Sequence, residues 1–376
     1  MVAAALVARA GYRVTLVDSR TRTGTGALLV TEPGLQVLSE LGVEDEVRQL
    51  QGAHGWAGLT VRGSAHEARL DKDWRMVSAP RGPALDLLEK RAVSFGVTVI
   101  GGFTASVPVW ERRRVSGVRC RDRDGREYEL GARVVVDATG PESFLPTVLG
   151  QLLPRRVGPR CRFSGTCYGS PERGPSLSGD GGNWVLACPG EEAVLTGVTA
   201  CPVSAEVVRL EAGSLAERLL GCRVQLDSTS VVARRVGAVH RTVAGEGWVA
   251  VGEAAGCGAP GLPGVTAGGL LLAASAAWEI DLALQKKDRA FSGGSVGATV
   301  AMARQRVYLE TLAERVLGRV LRVGMLDEAV RTSRRRAVLT DILQGNWADP
   351  RGRFSRLYYL WSLDRKSRRL VNPHHS

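Results

Sequence analysis

The sequence predicts an α/β fold: a doubly wound unit of alternating helices and strands, then an antiparallel sheet, then a helical C-terminal region. Three stretches predict it. Residues 1–20 read as an Ala-rich helix, a turn at Gly11 and the strand V-T-L-V closed by Asp18. Residues 134–143 read as a buried strand, V-V-V-D, running into A-T-G-P-E-S. Residues 247–270 repeat the theme with the strand W-V-A-V, the loop G-E-A-A-G-C-G-A-P-G-L-P-G and a helix of small residues. Short apolar runs that end on glycine and lead into helical spacing are what parallel strands covered on both faces require.

The remaining elements follow in chain order. Residues 33–42 have amphipathic helical spacing stopped by Gly42, and residues 85–96 have it again before the strand V-T-V-I. Residues 115–120 and the polar strand from Glu127 flank the turn Arg123-Asp124-Gly125, a hairpin signal. These features make residues 1–150 one βαβ-type region. Residues 151–241 change to short strands between turn residues, at 161–168, 183–188, 193–199 and 230–234, as an antiparallel sheet would. Residues 242–286 hold the late strand, loop and helix. Residues 287–376 are helical and Arg-rich, with Leu309, Leu312, Val316, Leu317, Val320 and Leu321 spaced as a docking face. A break at 349–352 precedes the aromatics of 357–362, which either cap a cavity or close the core.

Composition narrows the class. Seven cysteines without C-x-x-C spacing, and odd in number, predict reduced thiols and a cytoplasmic protein. No metal site is expected, because His54, His66 and His240 are scattered and His374 and His375 are terminal. The small-residue run 267–277 reads as a packed helix, so stable membrane insertion is not expected. The net charge of +12 and the run Arg331, Arg334, Arg335, Arg336 read as a solvated helix face. No aromatics interleave there to stack bases, so nucleic acid is not an expected partner.

In a dinucleotide-binding βαβ unit, Asp18 would be the acid that receives ribose hydroxyls. The strand and G-x-G-x-x-G turn that precede it in such a unit are not in this sequence, which leaves open both an upstream start and a true loss. Taken together, the three stretches resemble the FAD-dependent monooxygenase superfamily of aromatic hydroxylases, geranylgeranyl reductases and flavin-dependent halogenases, over roughly residues 1–284.

The resemblance implies FAD as cofactor and a set of residues around it. Asp18 would bind the adenosine ribose and Arg81 would touch the flavin. Asp137, Gly140 and Ser143 would form a turn beside the cofactor, Glu253 would stand where the family has the ribityl-binding Asp, and Gly264 would face the ring. Three departures accompany it: the absent pyrophosphate loop, Glu253 for Asp, and Pro263-Gly264-Val265 in place of G-x-G. Proline offers no N–H, and each charge-assisted hydrogen bond lost costs about 1.5–3 kcal/mol. The flavin site is therefore expected to be degenerate.

No Ser/His/Asp constellation, carboxylate pair or redox cysteine pair is legible, and no catalytic residue is assigned. The resemblance extends to flavin-fold [4+2] cyclases of polyketide pathways. The expectation is a biosynthetic tailoring enzyme of secondary metabolism that cyclises a large, apolar, polyketide-like substrate without redox change, with FAD absent or non-catalytic. An FAD-dependent monooxygenase or reductase and a non-catalytic binding protein stand as alternatives. One cavity is expected between the strands at 161–199 and the loop at 260–266. Trp184 and Asn183 would touch substrate there, with Arg81 or His240 as polar donor. Core packing is the first reading of Trp184 and Tyr168.

Overall fold

The Ala-rich start folds as α1 (Val2–Arg9), and Gly11, at φ +93°, turns the chain into β1 (Thr15–Asp18). A computed structural model describes residues 1–19, 26–63, 66–153, 160–168, 174–180, 183–189, 193–200, 205–220, 223–226, 232–236, 239–256, 262–286, 291–346 and 352–371. Next come β2 (Ala27–Thr31), α2 (Glu32–Glu40), α3 (Glu44–Arg48), β3 (His54–Arg62), β4 (Glu67–Pro80), α4 (Arg81–Ser94) and β5 (Thr98–Gly101). The expected helix at 33–42 is α2, with Pro33 in its first turn. The one expected from 85 begins four residues earlier, at Arg81.

β6 (Thr104–Glu111), β7 (Arg114–Arg121) and β8 (Glu127–Gly131) form a three-stranded antiparallel sheet. Its second hairpin closes where the sequence predicts: Asp122 Oδ1 accepts hydrogen bonds from the backbone of Asp124 and Arg126. β9 (Val135–Asp137) and α5 (Phe144–Val148) complete the first region.

Then follow β10 (Arg160–Tyr168), β11 (Ser176–Asp180), β12 (Asn183–Cys188), β13 (Ala193–Ala200), α6 (Ala205–Leu220), β14 (Arg223–Leu226) and β15 (Val232–Val236). The last strand was expected from 230, but Ser230 lies outside the described residues. β16 (Ala244–Gly245), β17 (Trp248–Ala250), α7 (Val265–Gln285), α8 (Gly297–Arg322), α9 (Leu326–Val330), α10 (Ser333–Gln344) and α11 (Arg353–Val371) end the chain.

The large sheet runs β14-β10-β13-β12-β11-β3-β4-β2, with β15 also on β10. It joins strands from both sides of residue 150, so the boundary drawn from the sequence cuts across one sheet. The reason is β3 and β4, a long hairpin whose apolar residues had no strand signature in the sequence reading. β3 also pairs with β11 in parallel, inside an otherwise antiparallel sheet.

One face of this sheet packs on α8–α11 through Leu59, Leu70, Trp74, Trp184 and Leu186 against Leu309, Leu312, Val316 and Leu317. The other face packs on α6 through Val185 and Ala187. Burial on both faces explains why N-W-V-L-A-C at β12 runs apolar instead of alternating. The helical stripe read as a docking face is buried throughout. Tyr359 and Leu360 close the core, while Tyr358 and Trp361 stand outside it.

Outside the large sheet the parallel pairs are β1–β5 and β17–β9, the latter with β16 antiparallel on β17. They share one apolar core with α1, α2, α4 and α7. Val17 and Val135, in what would be central strands, are only half-buried. α7 is the one described helix long and apolar enough to cross a membrane, with a mean hydropathy of 1.4 over its best window. Its place between α1, α2 and α8 accounts for that composition.

Candidate functional site

The carboxyl ends of β9 and β17 gather most of the predicted residues, as ligand sites on parallel sheets do. Asp137 ends β9 and is buried. Its Oδ1 accepts from the backbone N–H of Thr139 at 2.9 Å and from Thr139 Oγ1 at 2.7 Å, and its Oδ2 accepts from Leu145 N–H at 2.6 Å. Burial raises its carboxyl pKa, and these donors oppose the rise. Both oxygens therefore hold the turn together rather than face outward. Gly140 opens the 3-10 turn at φ +71°, and Ser143 follows in left-handed conformation at φ 48°.

Ser143 Oγ meets His240 Nε2 at 3.1 Å, with both side chains buried. This Ser–His pair was not legible in the sequence, where 97 residues separate the two. Burial drops the His240 pKa to about 4, and a contact with the Ala254 backbone, short of a hydrogen bond to Nδ1, pulls weakly the other way. His240 is thus a neutral fastener between the 140–143 turn and the Gly252–Ala255 turn that holds Glu253, not an exposed donor.

Gly264 caps the N-terminus of α7. A Cβ placed on it would overlap the backbone of Gln344 and Gly345, and a Cβ on Gly345 would overlap Gly264 in turn. The end of α10 therefore packs backbone to backbone against the start of α7. Thr31 Oγ1 fixes it there by donating to the Gln344 carbonyl at 2.6 Å. Val265 and Pro263 beside it are buried; Cys257 to Gly261 lie outside the described residues, and with them part of the expected loop at 260–266. Gly264→Ala is expected to cost about 1–3 kcal/mol through overpacking, read as a lowered thermal midpoint; an unchanged midpoint would mean the junction yields.

Arg306 is the residue the sequence reading missed. Its buried guanidinium donates from Nε to Glu310 Oε1 at 2.7 Å, from NH1 to the Gly252 carbonyl at 3.1 Å and from NH2 to the Val265 carbonyl at 3.4 Å. It ties together the two ends of the late Gly-rich segment. The available signal was phase: Arg306 and Glu310 fall on the same helical stripe as Leu309, Ala313 and Leu317.

Trp74 lies in the adjoining core, 0% exposed, with no acceptor for its indole N–H among the described residues. Its strand neighbour Met76 pairs with Thr31. Trp184 lies in the same core. It is 1% exposed and covers Gly179, whose open side also meets Leu321. Leu321 and Arg306 are separated by most of α8, about 20 Å. β12 presents Trp184 near the end of α8, in the core that also holds Leu262 and Val265, while Pro260 and Gly261 of the expected loop lie outside the described residues. Asn183, half-buried, begins the same strand. Asp18 ends β1, and exposed Arg81 opens α4 with its N–H on the Gly26 carbonyl.

Residues 1–156 match the family described as FAD binding domain. A search of curated protein sequences finds no match. Among solved structures, the flavin-dependent brominase Bmp2 is 15% identical at a TM-score of 0.78, over 98% of this chain and 96% of that one. A flavoprotein/dehydrogenase from Cytophaga hutchinsonii is 17% identical at 0.73, over 98% and 95%. The Diels-Alderase PyrE3 of the pyrroindomycin biosynthetic pathway is 16% identical at 0.67, over 92% and 77%. At these identities the likeness is one of fold, and the fold is that of the FAD-dependent monooxygenases and halogenases.

Proposed function

We propose that the protein is a tailoring enzyme that cyclises a large, apolar, polyketide-like substrate without net redox change. The observation that carries this reading is the contact of Gln344 and Gly345 with Gly264. A flavin ring would need open N–H groups at the start of α7. There Pro263 offers none, Val265 is buried, and the end of α10 lies against the helix. These residues do not fit a ring held from that side.

A cycloaddition asks little of acids and bases. Two σ bonds form as two π bonds are consumed, and the product is an isomer of the substrate. Holding the reacting ends together can supply up to roughly 7–11 kcal/mol, and a donor aimed at a carbonyl adds to it. Trp74 Nε1 and Trp184 Nε1, both buried and without an acceptor among the described residues, are suited to that donor role. The fold shared with a protein named a Diels-Alderase supports the same class. A second reading, an FAD-dependent monooxygenase or reductase, is favoured by the family match over residues 1–156 and by Asp18 at the end of β1.

One experiment separates them. The purified protein, titrated with FAD and then incubated anaerobically with a linear polyene precursor and no reduced nicotinamide, should show no saturable micromolar FAD binding and should yield a product of unchanged mass. A product heavier by one oxygen, or turnover only with NAD(P)H, would overturn cyclisation in favour of the second reading.

A further inference from the structure

The outer face of α11 carries Phe354, Tyr358 and Trp361, spaced i, i+4 and i+7 and exposed by 79%, 76% and 59%. The inner face, with Tyr359, Leu360 and Leu363, already closes the core, so packing within the chain does not require the outer three. Single exposed apolar residues are ordinary, but three large aromatics in a row mark a contact surface.

A groove of about 380 Å³ runs beside this ridge between α10 and α11, lined by Arg334, Arg335, Val338, Phe354, Tyr358 and Tyr359. Arg335 and Lys366 are both engaged by Glu328. Arg334, Arg336 and Arg365 are exposed and have no ion-pair partner among the described residues. The whole chain adds a net charge of +12.

We propose that this face docks peripherally on an anionic phospholipid bilayer. The three aromatics span seven residues of helix, about 10 Å, and are exposed along it. Exposed Phe, Tyr and Trp on one helix face favour the boundary between headgroups and acyl chains. Arg334, which lines the groove with Phe354 and Tyr358, and Arg365, one turn beyond Trp361, meet lipid phosphates, an attraction that salt screens. A second copy of the chain would bring the same positive face onto itself in a symmetric contact, which charge opposes. An acidic protein would satisfy the arginines but not the three exposed aromatics, which call for an apolar medium beside the charge.

Cosedimentation tests the proposal with vesicles of phosphatidylcholine alone and of phosphatidylcholine with phosphatidylglycerol. The protein should pellet with the second kind only, and high salt should release it. The variant F354A/Y358A/W361A, which alters exposed side chains and should keep its thermal midpoint, should lose about tenfold in bound fraction, as membrane contact by the ridge requires. Arg334→Glu, a second exposed change, should lose binding to the anionic vesicles as well. Failure of the wild type to pellet would overturn the proposal. So would pelleting of the aromatic variant equal to wild type, which would leave only diffuse charge. Aromatic-dependent binding to polyglutamate without vesicle binding would assign the face to an acidic protein instead and likewise overturn it.

Discussion

Replacing Arg306 by alanine is expected to destabilise the fold by about 3–5 kcal/mol, because it leaves the Glu310 carboxylate buried without its cation. It also strips the carbonyls of Gly252 and Val265 of their donor. Arg306→Lys keeps the charge but not the planar fork that reaches three acceptors, so it should recover only part of the loss. The double variant R306M/E310M should recover more than R306A, since no lone charge remains buried. Urea unfolding of the three variants measures this directly. Equal stability of R306A and wild type would show that the two ends of the late segment hold together without α8. A shift in turnover beyond the loss of folded protein would place Arg306 among the positioning residues of the site.

Acid should loosen the fold through His240. Its pKa is about 4 in the folded protein, against an ordinary 6.5 once unfolded. Between those values the unfolded chain takes up a proton that the folded chain refuses. The His240 contribution is therefore complete above pH 6.5 and is lost as pH falls toward about 4. The pKa difference corresponds to about 3 kcal/mol. Denaturation midpoints measured across this window should fall more steeply for wild type than for His240→Gln, which can keep a hydrogen bond to Ser143 but does not titrate. Parallel slopes for the two proteins would remove His240 as the cause. Because the pair fastens the 140–143 turn to the segment around His240, hydrogen exchange in that turn should quicken first on acidification.

Some of the candidate site was legible from local pattern. Asp18, Asp137 and Gly140 each follow an apolar run of strand length, and the structure puts each at a strand's carboxyl end. Gly264 precedes a run of small residues and caps α7. Their duties were less legible. Asp137 spends both oxygens on its own turn, and His240 is turned inward to Ser143, because each depends on where a neighbouring loop lies. Trp184 could be read from sequence as aromatic and strand-borne. Only the pairing of β12 with β11 places it over Gly179.

The sequence by itself determined the parallel elements, the buried stripe of α8, the hairpin at Gly125 and the proline beside Gly264. All of these are written in windows of a few residues, where periodicity, turn chemistry and the absent proline N–H act locally. The tertiary structure alone decided that β2, β3 and β4 join the later sheet, that Arg306 spans Gly252 and Val265, and that Gly345 closes on Gly264. Each of these joins residues far apart along the chain. Such contacts are set by which buried faces meet and which polar groups must be satisfied once they do, and no local pattern carries that information.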